Sequence, residues 1–180
     1  VLANRYEIGE LIGAGGMADV FQGKDTRLSR PVAIKILRND LARDPAFLAR
    51  FRREAQAAAG LNHPAIVSVY DTGEEVTENG ILPYIVMEQV DGKTIREIIR
   101  SGERLPFNRA IAVIKGILEA LQYSHKNGII HRDIKPSNVV LCKGEKGEDQ
   151  VRLLDFGIGK GISESDDVTL VGRFVGTPQY

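Results

Sequence analysis

Cysteine is almost absent. Cys142 is the only one in 180 residues, so no internal disulfide can form and zinc-ligand spacing does not occur. A reducing, cytoplasmic compartment is the natural expectation. Excess charge is absent as well: Lys plus Arg and Asp plus Glu are each 24, a formal net charge of zero. A nucleic-acid-binding body carries a basic surplus, so no nucleic-acid partner is expected. One local basic run, Arg43, Arg50, Arg52 and Arg53, reads better as the solvated face of a helix than as a partner-binding patch. Long apolar runs are missing too. Ile81 to Met87 is one of the longest and Pro83 interrupts it, so no membrane segment is expected within the chain. No signal-peptide pattern opens it, and no repeat or low-complexity tract stands out. What remains is 43% hydrophobic and 27% charged, ordinary for a globular protein and enough for one domain or two small lobes around a cleft. The chain starts at Val1 and stops after Gly176-Thr177-Pro178-Gln179-Tyr180; both ends are expected to be cuts in something longer.

The first third reads as strands. Tyr6 to Ile12 alternates loosely, Val20 to Gly23 resumes after a glycine cluster, and Pro31 to Leu37 is a β-rich run. Asp44-Pro45 predicts a helix start, and Gly60 a left-handed stop. Strands are expected again at Ala65 to Tyr70 and Ile81 to Met87, with Asn79-Gly80 as the turn between them. Beyond Asp91-Gly92 the pattern turns helical. Thr94 can cap a short helix to Arg100, and Pro106 to Lys126 predicts a long one with Ile111, Ile114, Leu118 and Leu121 on its apolar face. Short strands follow at Val139 to Leu141 and Val151 to Leu154, around a charged surface turn from Lys143 to Gln150.

Three clusters carry chemistry. Gly13-Ala14-Gly15-Gly16-Met17-Ala18-Asp19-Val20 lies between two strands, where glycines let backbone N–H groups approach phosphate oxygens. It is not a Walker A loop and opens no helix; alone it is equally a plain glycine-rich turn. Lys35 ends a strand that should be buried, where an ammonium needs an anion. Phe47, Phe51, Glu54 and Ala58 recur at helical spacing, placing Glu54 on an inward face as that anion. From these two residues, a stabilising salt bridge and a phosphate-reaching lysine are equally good readings. The third cluster decides. His131-Arg132-Asp133-Ile134-Lys135-Pro136-Ser137-Asn138 and Asp155-Phe156-Gly157 supply what phosphoryl transfer needs. These are a carboxylate near the attacking hydroxyl (Asp133), oxygen ligands for Mg²⁺ (Asn138, Asp155) and a cation for the transferred group (Lys135).

In order and context, Gly13-x-Gly15 through Val20, Val32-Ala33-Ile34-Lys35, His131-Arg132-Asp133 with Asn138, and Asp155-Phe156-Gly157 resemble the protein-kinase signature set across essentially the whole chain. Phe51-Arg52-Arg53-Glu54-Ala55 and Leu61-Asn62-His63-Pro64-Ala65-Ile66-Val67 resemble the bacterial eukaryotic-like (Hanks-type) serine/threonine kinases. The resemblance implies an α+β, two-lobe fold. Residues 1–87 would form an antiparallel N-lobe with one main helix, 88–91 a hinge, and 92–180 an incomplete helical C-lobe with its activation segment at 155–180. It implies transfer of the ATP γ-phosphoryl group, with Mg²⁺, to Ser or Thr hydroxyls of protein substrates, with self-association for autophosphorylation. Asp133 would be the catalytic base, served by Lys135, Lys35 and Glu54. ATP would lie against Ile12, Gly13, Ala14, Gly15, Gly16, Met17, Ala18, Asp19 and Val20, then Ala33, Lys35, the gatekeeper Met87 and hinge residues Glu88, Gln89 and Val90. Its phosphates would meet Lys135, Asn138 and Asp155, the last two holding the metal.

Lys135 and Thr177 resemble the serine/threonine versions of their positions. Arg132 implies that a phosphorylated loop residue orders the activation segment; of Ser163, Ser165, Thr169 and Thr177, mid-loop Thr169 is expected. Ala18 departs from the common third glycine and should be tolerated. A non-catalytic scaffold is disfavoured by intact Lys35, Asp133, Asn138 and Asp155, and a small-molecule kinase by Arg132, Lys135 and Gly176-Thr177-Pro178. The family pattern continues past Tyr180, so these residues alone are expected to bind nucleotide weakly and phosphorylate poorly. The resemblance also suggests a membrane anchor and sensor domain further along the parent chain.

Overall fold

The structure is a computed structural model and describes residues 1–145 and 147–155. Its first half is a five-stranded antiparallel sheet of order β1-β2-β3-β5-β4. The strands are β1 (Tyr6–Ala14), β2 (Ala18–Asp25), β3 (Arg30–Leu37), β4 (Val69–Thr77) and β5 (Gly80–Glu88). β3 is central, and Val32 to Leu37 are all buried, as a run of apolar and β-branched residues requires between two partners. Register places Val20 opposite Lys35 and Ala33 opposite Met87.

Two helices follow β3. α1 (Asn39–Ala42) is a single turn that hydrophobic periodicity is too coarse to predict. α2 (Pro45–Ala59) starts as expected, with the Asp44 side chain accepting from the Ala46 N–H at 2.8 Å and Pro45 in the first turn. It ends differently. Gly60 is right-handed at φ −79°, so the left-handed glycine cap predicted there does not form. Phe51, Glu54 and Ala55 form the buried face.

The strand expected at Ala65 to Tyr70 starts later, at Val69, and runs on to Thr77. Residues 65–67 pair elsewhere: Val67 N–H donates to Leu153 O at 3.0 Å and Leu153 N–H to Ala65 O at 2.8 Å. The remainder of β4 is an exposed edge with Gly73, Glu74 and Glu75, a composition that does not look like a strand from sequence. The β4–β5 turn closes on Thr77 opposite Gly80, the glycine at φ +118°.

The second half packs α3 (Ile95–Arg100) and α4 (Phe107–Lys126) on a small sheet of β6 (Lys93–Thr94), β7 (Val139–Lys143) and β8 (Asp149–Leu153). Thr94 caps α3 in a reciprocal box with Glu97. α4 ends at Asn127 with Gly128 left-handed at φ +73°. Its orientation overturns an expectation. Ile111, Ile114 and Leu118 are 50%, 56% and 59% exposed, while Val113, Ala120 and Ser124 are buried; of the predicted stripe only Leu121 packs on the core. The reason is close approach. A Cβ on Gly116 would stand 3.1 Å from Val151 Cγ2, so the side with the smallest residues faces the sheet. Asp149 on β8 binds Arg109 of α4 and, at 2.8 Å, Lys143 across the charged turn.

Candidate active site at the junction of the two halves

The glycine cluster is a hairpin, as its flanking strands predict. Gly13 pairs with Val20 and Ala14 with Asp19, and Gly15 N–H donates to Ala18 O at 3.0 Å. A Cβ at Gly15 would lie 2.9 Å from Ala18 O, and one at Gly16 would touch nothing within 4 Å. The tip therefore presents bare backbone, the surface a phosphate chain can approach. Ile12 is 54% exposed on the strand leading into it.

Beneath the hairpin, β3 delivers Lys35 and α2 delivers Glu54, 7% and 3% exposed. The expected pairing exists but is not the nearer one. Lys35 Nζ hydrogen-bonds Asp155 Oδ1 at 3.0 Å and stands 4.0 Å from Glu54 Oε2. Neither Glu54 oxygen has a hydrogen-bond partner. Burial pushes its pKa up to about 7, against the pull of Lys35. A cavity of about 40 Å³ lined by Lys35, Glu54, Ala55, Met87 and Asp155 lies beside the carboxylate, room for a water but not for a nucleotide.

The segment after α4 forms the opposite wall. His131 is 1% exposed; its Nε2 bonds Leu154 O at 2.7 Å and its Nδ1 accepts from Asp133 N–H at 3.2 Å. These bonds fit the neutral ring, and burial lowers its pKa. Asp133 is held from two sides. Lys135 Nζ lies 2.9 Å from Asp133 Oδ2, and Asn138 Nδ2 donates to Asp133 O at 2.9 Å and Oδ2 at 3.3 Å. The 3₁₀ turn Pro136–Asn138 fixes this geometry, and Leu154 N–H donates to Asn138 O at 2.9 Å. Arg132 and Asp155 adopt left-handed backbone, φ +64° and +56°, conformations that non-glycine residues hold only under surrounding constraint.

The donor set suits a hard cation. Asn138 donates through its amide nitrogen, which leaves Oδ1 as an oxygen donor, and Asp155 keeps Oδ2 beside the oxygen that Lys35 engages. Among the described residues no three His, Cys, Asp or Glu side chains cluster as an all-protein metal cage.

The chain matches the protein kinase domain family over residues 6–180. It belongs to the protein kinase family. A probable serine/threonine-protein kinase of Streptomyces coelicolor is 55% identical over 180 residues, covering 99% of this chain and 26% of that protein. Serine/threonine-protein kinase PknB of Mycobacterium tuberculosis is 53% identical over 99% of this chain and 28% of its own length. The chain thus spans roughly a quarter of these curated relatives. The PknI kinase domain of Mycobacterium tuberculosis, seen in a crystal structure, superposes with a TM-score of 0.72 at 32% identity, over 88% of this chain and 62% of that one. The α+β kinase fold of sheet plus helices is thereby established, and the chain is of the bacterial Hanks type.

In kinase terms, Met87 lines the cavity behind Lys35, and Glu88, Gln89 and Val90 follow directly, half-buried. Phe156, Gly157, Thr169 and Thr177 lie outside the described residues. Sequence reasoning missed two connections. One is His131 as a buried link between the Asp133 loop and the strand before Asp155. The other is Arg152, which pairs with Glu88 and donates to Pro64 O at 2.7 Å. An arginine alternating with buried Val151 and Leu153 is its only trace in the sequence, and nothing there names its partner.

Proposed function

We propose that this chain carries the nucleotide-binding and catalytic residues of an ATP- and Mg²⁺-dependent serine/threonine protein kinase. The observation that carries the reading is the position of Asp133. Its carboxylate is fixed by Lys135 and Asn138, while Asn138 is bonded to the strand that delivers Asp155 to Lys35. In this reading Asp133 accepts the proton of the substrate hydroxyl, and Lys135, beside it, offsets charge on the group in transfer. Asn138 Oδ1 and Asp155 Oδ2 hold Mg²⁺, which when bound neutralises phosphate charge. Lys35, steered by Glu54, orients the phosphates under the hairpin of Gly13 to Val20. Ala33, Met87 and the backbone of Glu88 to Val90 receive the adenine.

The substrates are Ser and Thr hydroxyls of proteins, including a second copy of the chain during autophosphorylation, and the reaction belongs in the cytoplasm. No helix of the described residues is long and apolar enough to cross a membrane. Exposed Arg132 is assigned to bind a phosphorylated Thr169. The test uses the full-length protein with ATP and Mg²⁺, with and without Asp133→Asn. Autophosphorylation should fall by about 10³-fold or more in the variant, and phosphopeptide mapping of the wild type should find Thr169. Nucleotide binding without turnover in the wild type would mark a scaffold instead.

A further inference from the structure

Arg152 reaches across the two halves of the molecule. It sits on β8, three residues before Asp155, with its side chain only 17% exposed. One terminal nitrogen pairs with the Glu88 carboxylate at the end of β5, and the other donates to Pro64 O at 2.7 Å in the α2–β4 connection. Glu88 Oε2 also accepts from Ser68 N–H at 3.3 Å, and Glu88 N–H donates to Ser68 O at 2.9 Å. Leu153, the next residue on β8, pairs in parallel with the neighbourhood of Ile66. A single planar fork thus ties the start of the hinge, the connection beneath it and the strand that leads to Asp155. Lysine, with one point charge, cannot hold both acceptors with the same fixed spacing.

On the proposed function above, adenine lies on the backbone after Glu88 and the metal-bound phosphates lie at Asp155. These are opposite ends of one ligand. We infer that Arg152 is a positioning residue, setting the spacing between hinge and Asp155 so that both ends of one MgATP are held at once. The hinge itself does not depend on the arginine, because Glu88 keeps its backbone bond to Ser68 and its register opposite Val32. Losing Arg152 therefore leaves each end of the site intact and misaligns the two. A ligand that touches one end should not sense the loss, and a ligand that spans both should.

Calorimetric titration of the full-length protein with MgATP and with adenosine separates these cases, using Arg152→Gln, Glu88→Gln and the double variant. One coupled contact of this kind corresponds to a Kd for MgATP about tenfold weaker in each single variant, with adenosine held within about twofold in Arg152→Gln. The double variant should be no weaker than the weaker single, because the pair acts as one unit. Equal losses for both ligands, an unchanged Kd for MgATP, or additive losses in the double variant would each overturn the assignment. If Arg152→Gln does not fold, Arg152→Lys carries the test, since it keeps the charge and loses the two-armed fork to Glu88 and Pro64. Wild type that does not bind MgATP overturns the kinase reading and this inference together. Wild type that binds it, with variants that keep its selectivity over adenosine, overturns only the role of Arg152.

Discussion

Lys35 has two carboxylates within reach and hydrogen-bonds only one of them. Asp155 is at 3.0 Å, and Glu54 is at 4.0 Å with both oxygens unbonded. A buried carboxylate in that condition weakens the fold rather than supporting it. Its presence is therefore better explained by what it does to Lys35 than by stability. Glu54→Gln should leave the denaturation midpoint at pH 7.5 unchanged or raised, while phosphotransfer by the full-length protein falls about ten- to hundredfold through misplacement of Lys35. Parallel losses of stability and turnover would make Glu54 a structural residue. The sequence made Lys35, Glu54, Asp133, Asn138 and Asp155 recognisable because each occupies a fixed place in an ordered motif. It could not show that Lys35 is nearer Asp155, a neighbour 120 positions away, because that distance depends on how the two sheets meet.

Helix α4 shows the same boundary at the scale of elements. Its length and both ends were readable, since Pro106 and Asn127-Gly128 punctuate the chain locally. Its facing was not. Ile111, Ile114 and Leu118 share a helical stripe with the right spacing for a core, but a stripe says nothing about which neighbour takes it. Contact distance chose instead, and the glycine-alanine side lies on β8. Gly116→Val should lower stability by about 2 kcal/mol, because its Cβ would already press on Val151 and the γ-methyls add bulk at that contact. Thr94→Ala, which removes the α3 capping box, should cost about 1 kcal/mol. Urea unfolding of both variants checks the ranking; a neutral Gly116→Val would mean α4 can lift off the sheet without penalty. β4 was misjudged for a related reason. Residues 65–67 look like the start of a strand and do pair, but with Leu153 of the other half, a long-range choice invisible to local periodicity.

Near neutral pH, a formal net charge of zero removes global repulsion as a driver of pH response, leaving a few buried groups to set it. Asp25 is fully buried, and its hydrogen bonds from Arg5 lower its pKa to about 2. Its contribution is complete above the unfolded value near 4 and is lost as pH falls toward about 2. His131 is buried neutral with a lowered pKa, so its contribution is complete above about 6.5 and declines as pH falls, when the unfolded ring takes a proton that the folded ring refuses. Glu54 acts in the opposite sense. Its folded value of about 7 lies above its ordinary 4.5, so its contribution is complete below 4.5 and disappears as pH rises through about 7. Between about pH 5 and 7 the histidine and the glutamate pull wild-type stability in opposite directions. Glu54→Gln removes one side of that balance. The variant's denaturation midpoint should climb with pH across this window, and both proteins should lose stability together below about pH 4 as Asp25 is protonated. If the two curves instead run parallel from pH 5 to 7, the buried carboxylate is not titrating there. Lys35 would then hold Glu54 ionised throughout, and the two residues would form the closer pair that their sequence positions first suggested.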